Sequence, residues 1–189
     1  MTELEEIKKI LQKKSSSKVR DSFKKFIPNS QNVYGVRVPD LNELATKYKD
    51  DGFMLVELLW RSGAFEERLL AAKILAKASE QNPDYALKLI ELFSKDISDW
   101  AVCDTLGQQG IKPIAKLKQK EIFDLSAKLV KSSNFWQRRL SLVLLENYKK
   151  EVQSHKFILN IMKRLENDKE YYVKKAVEWT KRDLAKFKK

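Results

Sequence analysis

Trp100 and Asp104 stand four residues apart in the stretch Asp99-Trp100-Ala101-Val102-Cys103-Asp104. On a helix, positions i and i+4 share a face, so this spacing sets an indole beside a carboxylate. An aromatic face next to an anion attracts and stabilises positive charge. Asp96 and Ser98 are N-cap residue types and predict that a helix opens here; Gly107 and Gly110 predict that it ends or bends soon after. Trp136 and Arg139, and again Trp179 and Arg182, are three apart, which puts each Trp on one face with an Arg. A Trp in such a pair can meet sugar or base while the Arg holds phosphate.

Other chemistries have little to stand on. His155 is the lone histidine, so a Ser-His-Asp triad has one weak candidate and no supporting motif. No Cys/His cluster suits zinc, no glycine-rich phosphate loop occurs, and the carboxylates form no sharp metal constellation. Neither metal nor cofactor is expected, and any catalysis must need very few groups. Cys103 is the only cysteine, so no intrachain disulfide can form. Charges at Glu3, Glu5, Glu6, Lys8 and Lys9 interrupt the first residues, and no apolar run approaches the roughly 20 residues that cross a bilayer. A soluble, cytoplasmic, monomeric protein is expected.

The elements that must position these residues are helical. Five Gly and four Pro in 189 residues, with Leu, Lys, Ala and Glu abundant, favour helix. Apolar periodicity and turn residues predict helices near 3–14, 18–26, 39–49, 53–60, 65–79, 83–94, 99–107, 119–131, 134–148, 152–166 and 168–187. Pro28 to Arg37 reads as a loop, and no strand is predicted. Phe65, Trp100, Trp136 and Tyr172 recur about every 36 residues, close to the period of helical-pair solenoids. The fold class is therefore all-α, an α-solenoid of stacked antiparallel helix pairs. The aromatic slot is either a packing position or part of a site. Packing is the stronger reading for Phe65 and Tyr172; Trp100 and Trp136 stay open.

Three residues after each aromatic come Arg68, Cys103, Arg139 and Lys175; four after come Leu69, Asp104, Leu140 and Ala176. The first row is basic in three repeats of four, as a track for phosphates or a solvated face would be. Asp104 breaks an apolar row. A carboxylate there is turned to solvent, paired, or used, since leaving it buried and unpaired costs several kcal/mol. Charge is uneven as well: residues 111–189 carry 21 basic and 9 acidic groups, a balance of +12 that equals the whole chain's excess. A basic surface of this kind suits a polyanion, although lysine enrichment for solubility or heat tolerance gives the same count.

Several segments together carry a resemblance. Tyr34-Gly35-Val36-Arg37-Val38-Pro39-Asp40-Leu41 resembles the opening signature of the AlkD family, DNA alkylation repair proteins built from HEAT-like repeats. Phe65-Glu66-Glu67-Arg68-Leu69-Leu70-Ala71-Ala72 is similar to its next helix, and Asp99-Trp100 with Asp104 to its Trp and catalytic Asp. Asn134-Phe135-Trp136-Gln137-Arg138-Arg139 resembles the segment bearing an active-site Arg, at Arg139. The stretch from Val173 to Arg182 resembles the last signature, with a second active-site Trp at Trp179. The resemblance implies one HEAT-like repeat domain over residues 1–189, curved with a basic concave face. It implies a glycosylase for cationic alkylpurines in double-stranded DNA, without flipping the base into a pocket. Catalytic candidates are Asp104, Trp100, Trp179 and Arg139; DNA-binding candidates are Arg182, Arg138, Lys175 and Arg37. Arg139 and Arg182 are expected to hold flanking phosphates. A non-catalytic DNA-binding or protein-scaffold module is the alternative.

Overall fold

The computed structural model describes residues 2–187. Among them there is no strand, and the α-helices are α1 (Glu3–Lys14), α2 (Ser17–Phe26), α3 (Val38–Lys47), α4 (Gly52–Arg61), α5 (Phe65–Gln81), α6 (Pro83–Phe93), α7 (Trp100–Gln108), α8 (Gln119–Leu129), α9 (Phe135–Val143), α10 (His155–Arg164) and α11 (Tyr171–Ala185). Each of α5, α7, α9 and α11 packs on the next. Helices α6, α8 and α10 form a second layer, α6 against α5, α8 against α9, and α10 against α9 and α11. The N-terminal helices complete the stack, α3 and α4 on α5 and α1 on α4. The chain is an α-solenoid of stacked antiparallel helix pairs. No helix among the described residues is long and apolar enough to cross a membrane.

The repeated aromatics open the stacked row. Phe65 is buried and meets Phe23 edge-on at 5.4 Å. Trp136 is buried and stacks on Tyr172 at 4.9 Å. For these the slot is a packing position, where a large ring fills the gap between neighbouring helices. Trp100 and Tyr172 remain half-buried.

Helix α7 starts at another cap than the sequence predicts, and of the two glycines expected to end it only Gly110 lies just beyond its end. Its cap is Asp99, whose Oδ1 accepts from the Val102 N–H at 2.9 Å; Asp96 lies in the 3-10 turn Ser94–Asp96 instead. Gly107 neither ends nor bends the helix. A Cβ there would lie 2.7 Å from Val143 Cγ1 and 2.8 Å from Leu140 Cδ1, so the missing side chain is what lets α9 press against α7. Asn147 Nδ2 then donates to the Gln108 carbonyl at 3.2 Å and closes the helix end.

The Tyr34–Val36 loop is held by a residue of the next signature. The buried Glu66 carboxylate accepts from the backbone N–H groups of Tyr34 (3.0 Å), Gly35 (2.7 Å) and Val36 (3.0 Å). Gly35 has φ 87°, and a Cβ would collide with the Ser16 carbonyl. Helices α2, α4 and α5 run one or two residues beyond their expected bounds, and helices α8 to α11 are shorter than periodicity predicts. The segment expected at 134–148 is α9 followed by a 3-10 turn, Leu144–Tyr148. The one expected from 168 starts at Tyr171, because Asp168 accepts from the Glu170 N–H at 3.0 Å and pairs with Arg138, which holds those residues outside the helix.

Candidate active site

Helix α7 presents Trp100, Asp104 and Gln108 along one stripe, one turn apart. Arg139 comes from α9, and Tyr171, Tyr172, Lys175, Trp179 and Arg182 come from α11. Together they line an open cleft of about 390 Å³.

Asp104 is held from two sides of its carboxylate. Arg139 Nε donates to Oδ1 at 3.0 Å and Nη2 to Oδ2 at 2.8 Å. The third arm of the guanidinium, Nη1, donates to the Tyr172 carbonyl at 2.6 Å. One buried arginine thus ties three successive helices of the stack together at the cleft floor. The bidentate geometry fixes the plane of the carboxylate, not merely its charge. The arginine side chain is 7% exposed and the aspartate 20%, so the carboxylate keeps an open edge to the cleft. A carboxylate has about four lone-pair sites, and a bidentate arginine leaves some of them for another partner. Burial lifts the Asp104 carboxyl above the ordinary aspartate range, although Arg139 pulls it the other way. The apolar row is therefore broken by an aspartate that is both paired and turned toward the cleft.

The two indoles are anchored by their polar edges. Trp100 Nε1 donates to the Phe26 carbonyl at 3.1 Å, and Trp179 Nε1 donates to Asp183 Oδ2 at 3.0 Å. With both N–H groups engaged by protein, what these rings offer to the cleft is aromatic surface. Two indoles and an anion around one opening can stabilise a cation or a centre that becomes positive. Just behind, Asp99 is 2% exposed, and burial raises its carboxyl to about 6. Among the described residues no group of His, Cys, Asp and Glu could hold a metal ion.

The cleft gathers Trp100, Asp104, Arg139, Lys175, Trp179 and Arg182, but not the other two DNA-binding candidates, Arg138 and Arg37. Arg138 turns away. Its Nε donates to Asp168 Oδ2 at 2.6 Å, its Nη2 to Oδ1 at 3.2 Å, and its Nη1 to the Ser132 and Ser133 carbonyls. Arg37 pairs with Asp40 at 3.1 Å and lines a separate groove with Lys14, Ser16 and Lys18. Arg139 cannot grip a phosphate as expected, because its guanidinium is buried and all three nitrogens are engaged. Nor does the basic row form a continuous track: Arg68 Nη1 donates to the Asp96 carbonyl at 2.8 Å, and its guanidinium sits 5.4 Å from the Trp60 ring. Of that row only Lys175 stays exposed, at the rim beside Glu178. Arg182 is exposed, and no carboxylate among the described residues pairs with it. Sequence reasoning missed Gln108, Tyr171 and Tyr172 as cleft residues. Gln108 was within reach, since it continues the Trp100–Asp104 stripe by one more turn.

Fold and cleft together define a helical-repeat protein whose candidate site is one arginine-held carboxylate in a cleft with two indoles. The chain belongs to the DNA alkylation repair enzyme family, whose model matches residues 7–189. Among curated proteins no match is found.

Proposed function

We propose that this protein is a DNA glycosylase that releases cationic alkylpurines, such as 7-methylguanine and 3-methyladenine, from double-stranded DNA. Alkylation of a ring nitrogen makes the base positively charged and a good leaving group. As the bond from the sugar C1′ to the base breaks, its electron pair goes to the base, and positive charge builds on the sugar. The enzyme's task is to favour that charge more than the ground state. Asp104 supplies the negative field and positions a water on C1′. The water oxygen bonds to C1′, its proton passes to the carboxylate or to solvent, and the base departs neutral. Trp100 and Trp179 pack on the deoxyribose and lesion through their faces. Lys175 and Arg182 meet phosphates at the rim. Arg139 acts by keeping the Asp104 carboxylate ionised and in one plane.

The observation that carries this reading is the position of Asp104: ion-paired with Arg139, open on one edge, in one cleft with both indoles. The test is incubation with duplex DNA treated with a methylating agent, followed by chromatography of released bases. Release of 7-methylguanine by the wild-type protein and its loss in Asp104→Asn is the expected result. Duplex binding with no base released over hours would leave the non-catalytic binding module instead.

A further inference from the structure

The two cleft indoles are anchored by different means. Trp100 leans on a main-chain carbonyl, which no side-chain change removes, whereas Trp179 leans on a side chain, Asp183. Asp183 is 5% exposed and has three partners: the Trp179 N–H, Lys149 Nζ at 2.6 Å to Oδ2, and Lys186 Nζ at 2.6 Å to Oδ1. Lys149 is fixed in turn by Glu146 at 2.7 Å, and its Nζ lies 5.8 Å from the Trp179 ring centre. The two carboxylates and two ammonium groups balance one another. The network joins the turn after α9 to the last turns of α11, and none of its members except Trp179 lines the cleft. Apart from Trp179, none of its residues takes part in the proposed reaction.

We propose that Asp183, fixed by Lys149 and Lys186, is a positioning residue that locks the Trp179 indole with its face toward the cleft. A half-buried tryptophan on the last helix of the stack has several rotamers open to it, and the one seen here sends its N–H forward along the helix to the residue four further on. Asp183 selects that rotamer, and Lys149 and Lys186 hold Asp183. The inference rests on the glycosylase reading for its consequence on rate, but not for the geometry itself.

Four measurements test it. In wild-type protein labelled with ¹⁵N at the indoles, the Trp179 N–H, assigned by its disappearance in Trp179→Phe, should exchange with water far more slowly than a free indole. Exchange as fast as that of free tryptophan overturns the clamp without any variant having to fold. In Asp183→Leu the Trp179 resonance should shift while those of Trp60, Trp100 and Trp136 stay in place. The single-turnover rate of 7-methylguanine release should then fall about 10- to 100-fold, the order expected when a reacting group is misplaced by about an ångström. Affinity for undamaged duplex should change less than about twofold. Asp183→Asn keeps an oxygen acceptor for the indole and should recover most of the rate. Equal loss in Asn and Leu variants, or an unmoved Trp179 resonance, overturns the proposal. If the wild-type protein releases no base, the glycosylase reading fails, and the exchange measurement still decides the clamp.

Discussion

At the scale of single residues, the proposed reaction needs Asp104 as an anion. Asp104→Asn keeps one acceptor for Arg139 but leaves the buried guanidinium without its counter-ion, so stability should fall while the fold and duplex affinity are kept, and base release should slow by about 100-fold or more, as when a single charge-stabilising group is removed from a reaction centre. Circular dichroism, anisotropy with labelled duplex and single-turnover release separate the three quantities. A second prediction follows from burial. The Asp104 carboxyl lies above the ordinary aspartate range, and the proposed reaction uses its charged form. The rate must therefore rise with pH as the carboxyl ionises, with a midpoint above that of an exposed aspartate. Arg139 favours the charged form, so Arg139→Gln should move the midpoint further up and lower the plateau. A pH profile with the same midpoint in both proteins would show that Arg139 does not tune this group. The Trp100–Asp104 pair was legible because spacing within one helix fixes who shares a face. The role of Arg139 was not, because a bidentate pair between α7 and α9 depends on the distance and rotation of two helices, which no spacing along the chain encodes.

At the scale of elements, α7 is the part whose placement decides the site, and its cap carries a testable cost. Asp99 is raised from the ordinary aspartate value of 3.8 to about 6 by burial. Between about pH 4 and 6 the folded protein holds this proton and the unfolded chain has released it, so stability falls as pH rises through that window. Asparagine caps a helix about as well and has no charge to bury. Asp99→Asn should match the wild type near pH 4 and exceed it by up to about 3 kcal/mol above pH 6, by urea unfolding at each pH. Gly107→Ala should act oppositely. The new methyl would meet Val143 and Leu140, push α9 from α7, cost about 1–3 kcal/mol and loosen the Asp104–Arg139 pair along with it. The helices themselves were largely readable from periodicity, since a 3.6-residue repeat of apolar side chains is a local property. Their ends were not: Asp99 in place of Asp96 or Ser98, and Tyr171 in place of Asp168, were chosen by side-chain hydrogen bonds that compete with helix locally. Gly107 has the look of a terminator along the chain, whereas its reason for being glycine lies on another helix.

At the scale of the whole molecule, the excess of positive charge is the same in the sequence and in the fold, but only the fold shows which cations are free. Within the basic stretch 111–189, Arg138 and Arg182 are chemically identical, and both stand in motifs that suggest phosphate binding. Their surroundings differ sharply. Arg138 is 18% exposed against an Asp168 that is 8% exposed, with two further carbonyls on the same guanidinium. Arg182 is exposed at the cleft rim, with no carboxylate on it among the described residues. Affinity for a duplex depends on salt through the number of phosphates neutralised, and the slope of log K against log salt changes by about one for each phosphate left without its cation. Arg182→Ala should therefore reduce that slope by about one and leave the melting temperature nearly unchanged. Arg138→Ala should leave the slope alone and destabilise the fold by about 1–3 kcal/mol, because it leaves a largely covered carboxylate with only the Glu170 N–H as partner among the described residues. Anisotropy titrations across a several-fold range of salt, paired with thermal melts, read both quantities on each variant. If Arg138→Ala flattened the salt slope while the fold kept its stability, the ion pair with Asp168 would open on DNA, and the cationic surface would extend beyond the cleft to the loop before α9.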